Sequence, residues 1–261
     1  MILNKSFSGN LQFRNLINSF KLIVFLSLVI LFSFGCASEE KNLNTPEGMF
    51  AHAKEFDDAE RYDLAIQKYS DVRNKFPYSQ LATDAELAVA DVYYKKESYS
   101  EAQLSYQNYR DLHPKHPRID YVIYKTAMSY FMQLPDSIDR DLSSGADAIY
   151  HFNEVIKLFP KSEYAKEALA NRNDTFRRLA EKELYIADFY LKNESYSSAL
   201  RRYEGLLKKY SGQGLDARAH LGIVRAAKKT DDQSKVKTHK AILAKSFPDS
   251  TEFETLKNEG L

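Results

Sequence analysis

The sequence predicts an all-α fold, a helical solenoid of about five stacked helix pairs, with one long helix joining an N-terminal half to a C-terminal half. Three observations predict it. Past residue 35, apolar residues recur at spacings of three and four, with no strand-like alternation. Breakers are scarce, with 9 Gly and 7 Pro in 261 residues, so long stretches can stay helical. Finally, a set of small, aromatic and proline positions returns in register along the chain.

The repeat is anchored on FPYS at 76–79, FPKS at 159–162 and FPDS at 247–250, with a related HP at 113–114. Ala53, Phe56, Ala65, Tyr69 and Pro77 form the first set, and Ala90, Tyr93, Ala102, Tyr106 and Pro114 return 37 positions later. Ala127, Tyr130, Ala148, Phe152 and Pro160 form the third; Ala187, Tyr190, Ala199 and Tyr203 form the fourth, where Ser211 stands in the proline's place. This resembles the tetratricopeptide pattern. Small residues let two helices cross closely, aromatics fill the holes between them, and proline ends the second helix. A fifth pair over 215–229 and 232–247 carries Val236 and Lys240 at the small and aromatic positions, as suits a terminal cap with one solvated face.

Two spacings depart from the rule. Ala127 and Ala148 are 21 apart instead of 12, which places an inserted loop around residues 135–141. Between repeats three and four the spacing grows to 51, or 14 beyond the repeat. Fourteen residues are close to four turns at about 3.6 residues per turn, so the facing pattern survives. Residues 162–191 contain neither Gly nor Pro and predict one continuous helix. The expected organisation is a removed signal over 1–35 and a tether over 36–46. N-terminal repeats follow over 47–161, the long helix and C-terminal repeats over 162–250, and a tail over 251–261, either helical or disordered.

The N-terminal expectation rests on Cys36, the single cysteine. One thiol makes neither an internal disulfide nor a metal site. Upstream, residues 1–21 carry Lys5, Arg14 and Lys21 and no acid, and Leu22–Phe34 is apolar apart from two serines. Thirteen helical residues span about 20 Å, short of the roughly 30 Å hydrocarbon core, which marks a secretory signal and not a stable span. Phe32-Ser33-Phe34-Gly35-Cys36 resembles a bacterial lipobox, with Ser33 where leucine is usual. That resemblance implies cleavage before Cys36 and its acylation; the other reading is an ordinary cleaved signal with an incidental cysteine. Ala37 after the cysteine, by likeness to enterobacterial sorting, implies the outer membrane.

Loss of the signal takes three bases and no acid, leaving 34 Lys and Arg against 36 Asp and Glu. Such a balance offers no basic excess for nucleic acid. No GxSxG, HExxH, P-loop or GxGxxG occurs, so the chain reads as neither an enzyme nor a cofactor binder. His113 and His116 each precede a proline in a turn, and Asp136, Asp139 and Asp141 lack the glycine and terminal glutamate of a calcium loop. Neither set predicts a metal.

Binding is the expected activity. In a tetratricopeptide array the first helix of each pair lines a concave face. Its exposed positions fall at −6, −3, +1 and +4 from the first alanine. Those positions give Phe50 in repeat one, Leu87 and Tyr94 in repeat two, and Tyr121, Tyr124, Met128 and Phe131 in repeat three. Exposed aromatics in a trough mark a partner site; the competing reading packs them on the inserted loop or on neighbouring helices.

Residues 65–210 resemble the BamD family of outer-membrane assembly lipoproteins. The likeness is carried by LHPKHPRIDYVIYKTAMSYF (112–131), AIYHFNEVIKLFPKSEYAKEALANR (148–172) and LAEKELYIADFYLKNESYSSALRRYEGLL (179–207). The inserted loop with Asp139-Arg140-Asp141 and the long helix fall where that family has them. The resemblance implies a non-enzymatic subunit of the β-barrel assembly machinery, lipid-anchored on the periplasmic face of the outer membrane. Its implied partners are the periplasmic domains of the barrel insertase, other lipoproteins of the complex and unfolded outer-membrane proteins. N-terminal repeats would receive client segments and C-terminal repeats would dock the insertase. Arg202 matches a family arginine implicated in docking, and its neighbour Arg201 departs from the commoner uncharged residue. The alternative is a tetratricopeptide lipoprotein adaptor in pilus or secretin assembly, or in cell-wall organisation.

Overall fold

The structure, a computed structural model, describes residues 42–261. Cys36, the signal and most of the tether therefore lie outside the described residues. Among those described there are eleven helices and no strand. The first three pairs are α1 (Pro46–Asp58) with α2 (Tyr62–Lys75), α3 (Gln80–Lys95) with α4 (Tyr99–Leu112), and α5 (Ile119–Met132) with α6 (Ser144–Leu158). Next come the long α7 (Ala165–Lys192) with α8 (Tyr196–Tyr210), α9 (Asp216–Lys229) with α10 (Gln233–Ser246), and a last helix α11 (Thr251–Asn258).

The helix starts follow their sequence signals. Thr45, Ser79, Asp232 and Ser250 cap α1, α3, α10 and α11 with side-chain oxygens that accept from backbone N–H groups. Proline at N1 of α1 removes a donor that the helix could not have used. The turns inside pairs are equally regular. Glu60, Glu97, Glu194 and Asp231 all adopt φ between 56° and 61°. Each sits just past a first helix, where the next residue donates back across the end, as Arg61 N does to Phe56 O and Ser98 N to Tyr93 O. That is the left-handed helix stop usually given to glycine.

The repeat positions form the core. Ala53, Ala65, Ala90, Ala102, Ala127, Ala148, Ala187 and Ala199 are all fully buried. Tyr106, Phe152 and Tyr203 are at most 1% exposed and fill the holes beside them. The long helix begins at Ala165 and not at Ser162, because Ser162 serves the preceding turn: its hydroxyl accepts from Tyr164 N and donates to Asp120. Ser211 has φ −56°, the angle a proline would impose. The inserted loop is pinned at both ends by buried Leu134 and Leu142. Arg178 and Lys182 of α7 donate to the carbonyls of Pro135, Ile138 and Arg140 across it. Most of the tail is helical, with Leu256 buried in a cluster with Leu221, Val224 and Leu243.

Candidate binding grooves

The larger groove, roughly 460 Å³, opens along the first helices of repeats one to three. Phe50, Lys54 and Asp57 reach it from α1 and Tyr69 from α2. Leu87, Asp91, Tyr94 and Lys95 reach it from α3, and Tyr121 and Lys125 from α5, with Arg118 just ahead. Four of the seven expected groove residues, Phe50, Leu87, Tyr94 and Tyr121, therefore line one space.

The other three do not line it. Tyr124 stacks on Tyr164 at 4.9 Å, Met128 accepts a contact from Asn171 at 3.1 Å, and Phe131 meets Phe152 at 6.1 Å. Asn171 belongs to α7, whose first half covers this stretch of α5. The expectation of uniform exposure fails most clearly at Leu87 and Tyr124, which are 2% and 6% exposed. Leu87 packs with Ala90, Tyr106 and Val122, so it offers the groove only an edge of its floor.

The centre of the groove is Asp91, one residue past the buried Ala90. Its Oδ1 accepts from Tyr106 at 2.6 Å and from Tyr121 at 2.7 Å. Burial, then the Asp91 charge, pushes both phenols far up, so they stay protonated donors. Lys125 lies over the Tyr94 ring, 3.0 Å from its centroid, and Arg118 lies over the Tyr121 ring at 4.5 Å. Burial lowers the Lys125 ammonium to about 8, with Asp91 working against the shift. Lys54 and Lys95 are instead engaged by Asp58 and Asp57. The groove thus presents two cations held on aromatic faces beside a fixed carboxylate. It suits a ligand with both charged and aromatic groups.

Asp91, Arg118 and Lys125 were missed by the sequence reasoning. A signal existed for one of them: Ala90-Asp91 with Tyr106 recurs as Ala187-Asp188 with Tyr203.

A second, smaller notch of roughly 370 Å³ lies between α7 and α8 and contains Glu183, Tyr190, Arg201, Arg202, Gly205 and Lys209. Arg202 donates to Glu183 at 3.2 Å and is itself 43% exposed; Arg201 is exposed and touches Ser198 at 3.4 Å. Space above Gly205 is open, since an added Cβ meets nothing within 4 Å. Three cations against one acid give this notch a cationic character.

Among the described residues no group of three or more His, Cys, Asp or Glu could hold a metal ion. Nor is any described helix long and apolar enough to cross a membrane.

Stacked helix pairs with open grooves and fixed charges define a protein of the tetratricopeptide-type helical repeat class. More narrowly, the chain belongs to the YfiO family of outer membrane lipoproteins, whose model matches residues 43–243. It is similar to the outer membrane protein assembly factor BamD of Neisseria gonorrhoeae, 27% identical over 213 residues that cover 78% of this chain and 80% of that one. The Haemophilus influenzae BamD is also 27% identical, across 89% of this chain and 96% of its own. Among solved structures, one from a functional study of Pseudomonas aeruginosa PilF aligns over 84% of this chain and 83% of its own, with TM-score 0.37 and 17% identity.

Proposed function

We propose that this chain is a non-catalytic lipoprotein scaffold for assembly of β-barrel proteins in the outer membrane. Cys36 carries the lipid that holds it on the periplasmic face. The groove around Asp91 receives unfolded client segments, loosely and in extended form. The notch around Arg202, with Arg201 beside it, docks the periplasmic part of the barrel insertase. Other lipoproteins of the complex complete the assembly. The reading rests chiefly on membership of a family whose curated relatives are named as assembly factors.

The division of labour follows from chemistry. An extended segment needs aromatic faces and polar groups of both signs, which the groove around Asp91 supplies. A folded partner with an exposed carboxylate needs a guanidinium fork, and Arg202 offers one while Glu183 holds it in place. Confinement on one surface then raises the effective concentration of client beside insertase, with no catalytic residue involved.

Photocrosslinkers placed at positions 94 and 202 in living cells test the proposal. Position 94 should capture unfolded outer-membrane proteins and position 202 a β-barrel insertase. Capture of a secretin at position 202, or recovery of the chain on peptidoglycan, would replace this reading with the pilus or cell-wall adaptor.

A further inference from the structure

Successive helices pack side by side with short turns between them, so their direction alternates and the turns that join one pair to the next fall on the same side of the stack. Consecutive turns touch the first helices beside them near that edge. His113 meets Glu86 of α3 at 2.7 Å, and Tyr164 meets Tyr121 of α5 at 5.5 Å. The chain also enters there: Lys75, at the end of α2, donates to the carbonyl of Leu43 at 3.3 Å.

Along this edge, repeats one to three carry large exposed apolar side chains. Leu43 is 46% exposed, Tyr78 101%, Leu112 66% and Leu158 56%. Leu112 and Leu158 occupy the same repeat position, two residues before the turn proline. Lys115 and Lys161 occupy the position after it, where repeat one has Tyr78, and both are exposed. The edge also bears the acids Glu47, Asp111, Glu163 and Glu167, fewer than its cations Arg73, Lys75, Lys115, Lys157, Lys161 and Lys166. In repeats four and five the matching positions are Lys209, Gly212, Ser246 and Asp249, with no large apolar group among them. The oily character belongs to the N-terminal edge alone, although lysines also end the second helices of repeats four and five.

We infer that this edge is a lipid-contact surface that rests on the phospholipid headgroups of the membrane carrying the anchor. The inference rests on the proposed acylation of Cys36. Leu43 follows Cys36 by seven positions, and a chain of that length reaches about 25 Å when fully extended. The edge at Leu43 is therefore held within a short reach of the bilayer. Tyrosine favours the headgroup level because its ring is apolar and its hydroxyl is wet. Leucine tips gain by leaving water, and lysines extend their charge to anionic phosphates while their stems stay on apolar surface. Contact through repeats one to three would fix how the groove faces the membrane, which a flexible tether alone does not do.

Because the chain contains no tryptophan, a single one reports its own surroundings. The acylated mature chain would be bound to vesicles of phosphatidylethanolamine and phosphatidylglycerol containing bromine-labelled acyl chains. Tyr78→Trp and Leu112→Trp should emit to the blue and be quenched several-fold more than Asp249→Trp at the far end of the stack. Flotation with the vesicles reports the anchor separately. A chain that floats while its reporters at 78 and 112 stay as wet as the one at 249 overturns the lipid contact and leaves the anchor standing. A chain that does not float removes both. Reporters that stay wet on vesicles but become shielded in native outer membranes assign the edge to a protein partner and overturn the inference as well.

Discussion

The N- and C-terminal halves contain the same device in two forms. In the first, Asp91 is held by Tyr106 from the second helix of its pair and by Tyr121 from the next repeat. In the second, Asp188 is held by Tyr203 at 2.6 Å and by Arg218 at 2.6 Å. The residues correspond one to one at a spacing of 97, and so do Lys125 and Gly222. The outcomes differ. Tyr121 is neutral, so the Asp91 charge stays available to the groove, and Lys125 sits beside it over Tyr94. Arg218 neutralises Asp188, and Gly222 lets the Tyr203 ring close against α9. A shared repeat frame sets the geometry, and two substitutions within it decide whether a site is left open or sealed by packing.

The largest test of that contrast is Gly222→Ala. An added Cβ would stand 2.3 Å from Cζ of Tyr203, a ring that is 1% exposed and tied to Asp188. Overpacking of this kind should cost about 3 kcal/mol in urea unfolding. The corresponding Lys125→Ala removes a cation that already loses by burial and should cost under about 1 kcal/mol. An unchanged midpoint for Gly222→Ala would mean that the Tyr203 ring yields, and the contrast would lose its basis.

Acid should next act on the C-terminal half through a facing pair of histidines, where the N-terminal half has the single lowered histidine His151. His220 of α9 and His239 of α10 face each other with Nδ1 atoms 2.7 Å apart, beside Phe247. Burial, helped by His239, pushes His220 down to about 4 and outweighs Asp216, which acts the other way. Burial also lowers His239, with Glu204 opposing it and Lys235 adding to it. A histidine lowered in the folded state binds its proton more tightly when unfolded. The stability it contributes is therefore complete above about pH 6.5 and is lost as pH falls toward 4. Between pH 7 and pH 4 the α9–α10 pair should lose about 2 kcal/mol, after allowance for the solvent on one side of it. Hydrogen exchange should show the loss in α9 and α10 in the wild type and little of it in a His220→Gln, His239→Gln variant. Equal loss with and without the two imidazoles would refute the assignment.

A smaller difference should divide Tyr106→Phe from Tyr203→Phe. Each removes one hydrogen bond to a carboxylate, worth about 1.5 kcal/mol. Asp188 keeps a cationic partner in Arg218 while Asp91 keeps only Tyr121, so the N-terminal variant should be the more costly of the two. Chemical denaturation of the two single variants would reveal the order, and equal costs would deny any role to the third partner. The smallest effect should come from the turns common to both halves. Glycine in place of Glu60, Glu97, Glu194 or Asp231 relieves a left-handed backbone strain but loosens the unfolded chain. A net gain of about 0.5 kcal/mol is expected at each, visible as a small rise in Tm.

Particular residues show how much of this was legible in the sequence. The buried alanines and the aromatics beside them were readable, because a small residue at a helix crossing and an aromatic four residues past the second alanine of each pair serve one local purpose. The inserted loop and long helix were readable as departures from that spacing. Phe50, Tyr94 and Tyr121 were placed in the groove by their helical phase alone. Tyr124, Met128 and Phe131 share the same phase on α5, yet Tyr164 at the start of α7, Asn171 within it and Phe152 of α6 pack against them, and a local period carries no sign of those neighbours. Lys125 and Arg118 gave no signal, because a charged residue on a helix or in a turn is ordinarily just solvated, and only the fold sets the Tyr94 and Tyr121 rings against them.

The sequence by itself determined the helix pairs and the family, because each depends on spacing along one chain. Only the tertiary structure decided which faces stay open, because a side chain's exposure depends on the third helix that packs over it. That helix comes from elsewhere in the chain, and a local period carries no record of it.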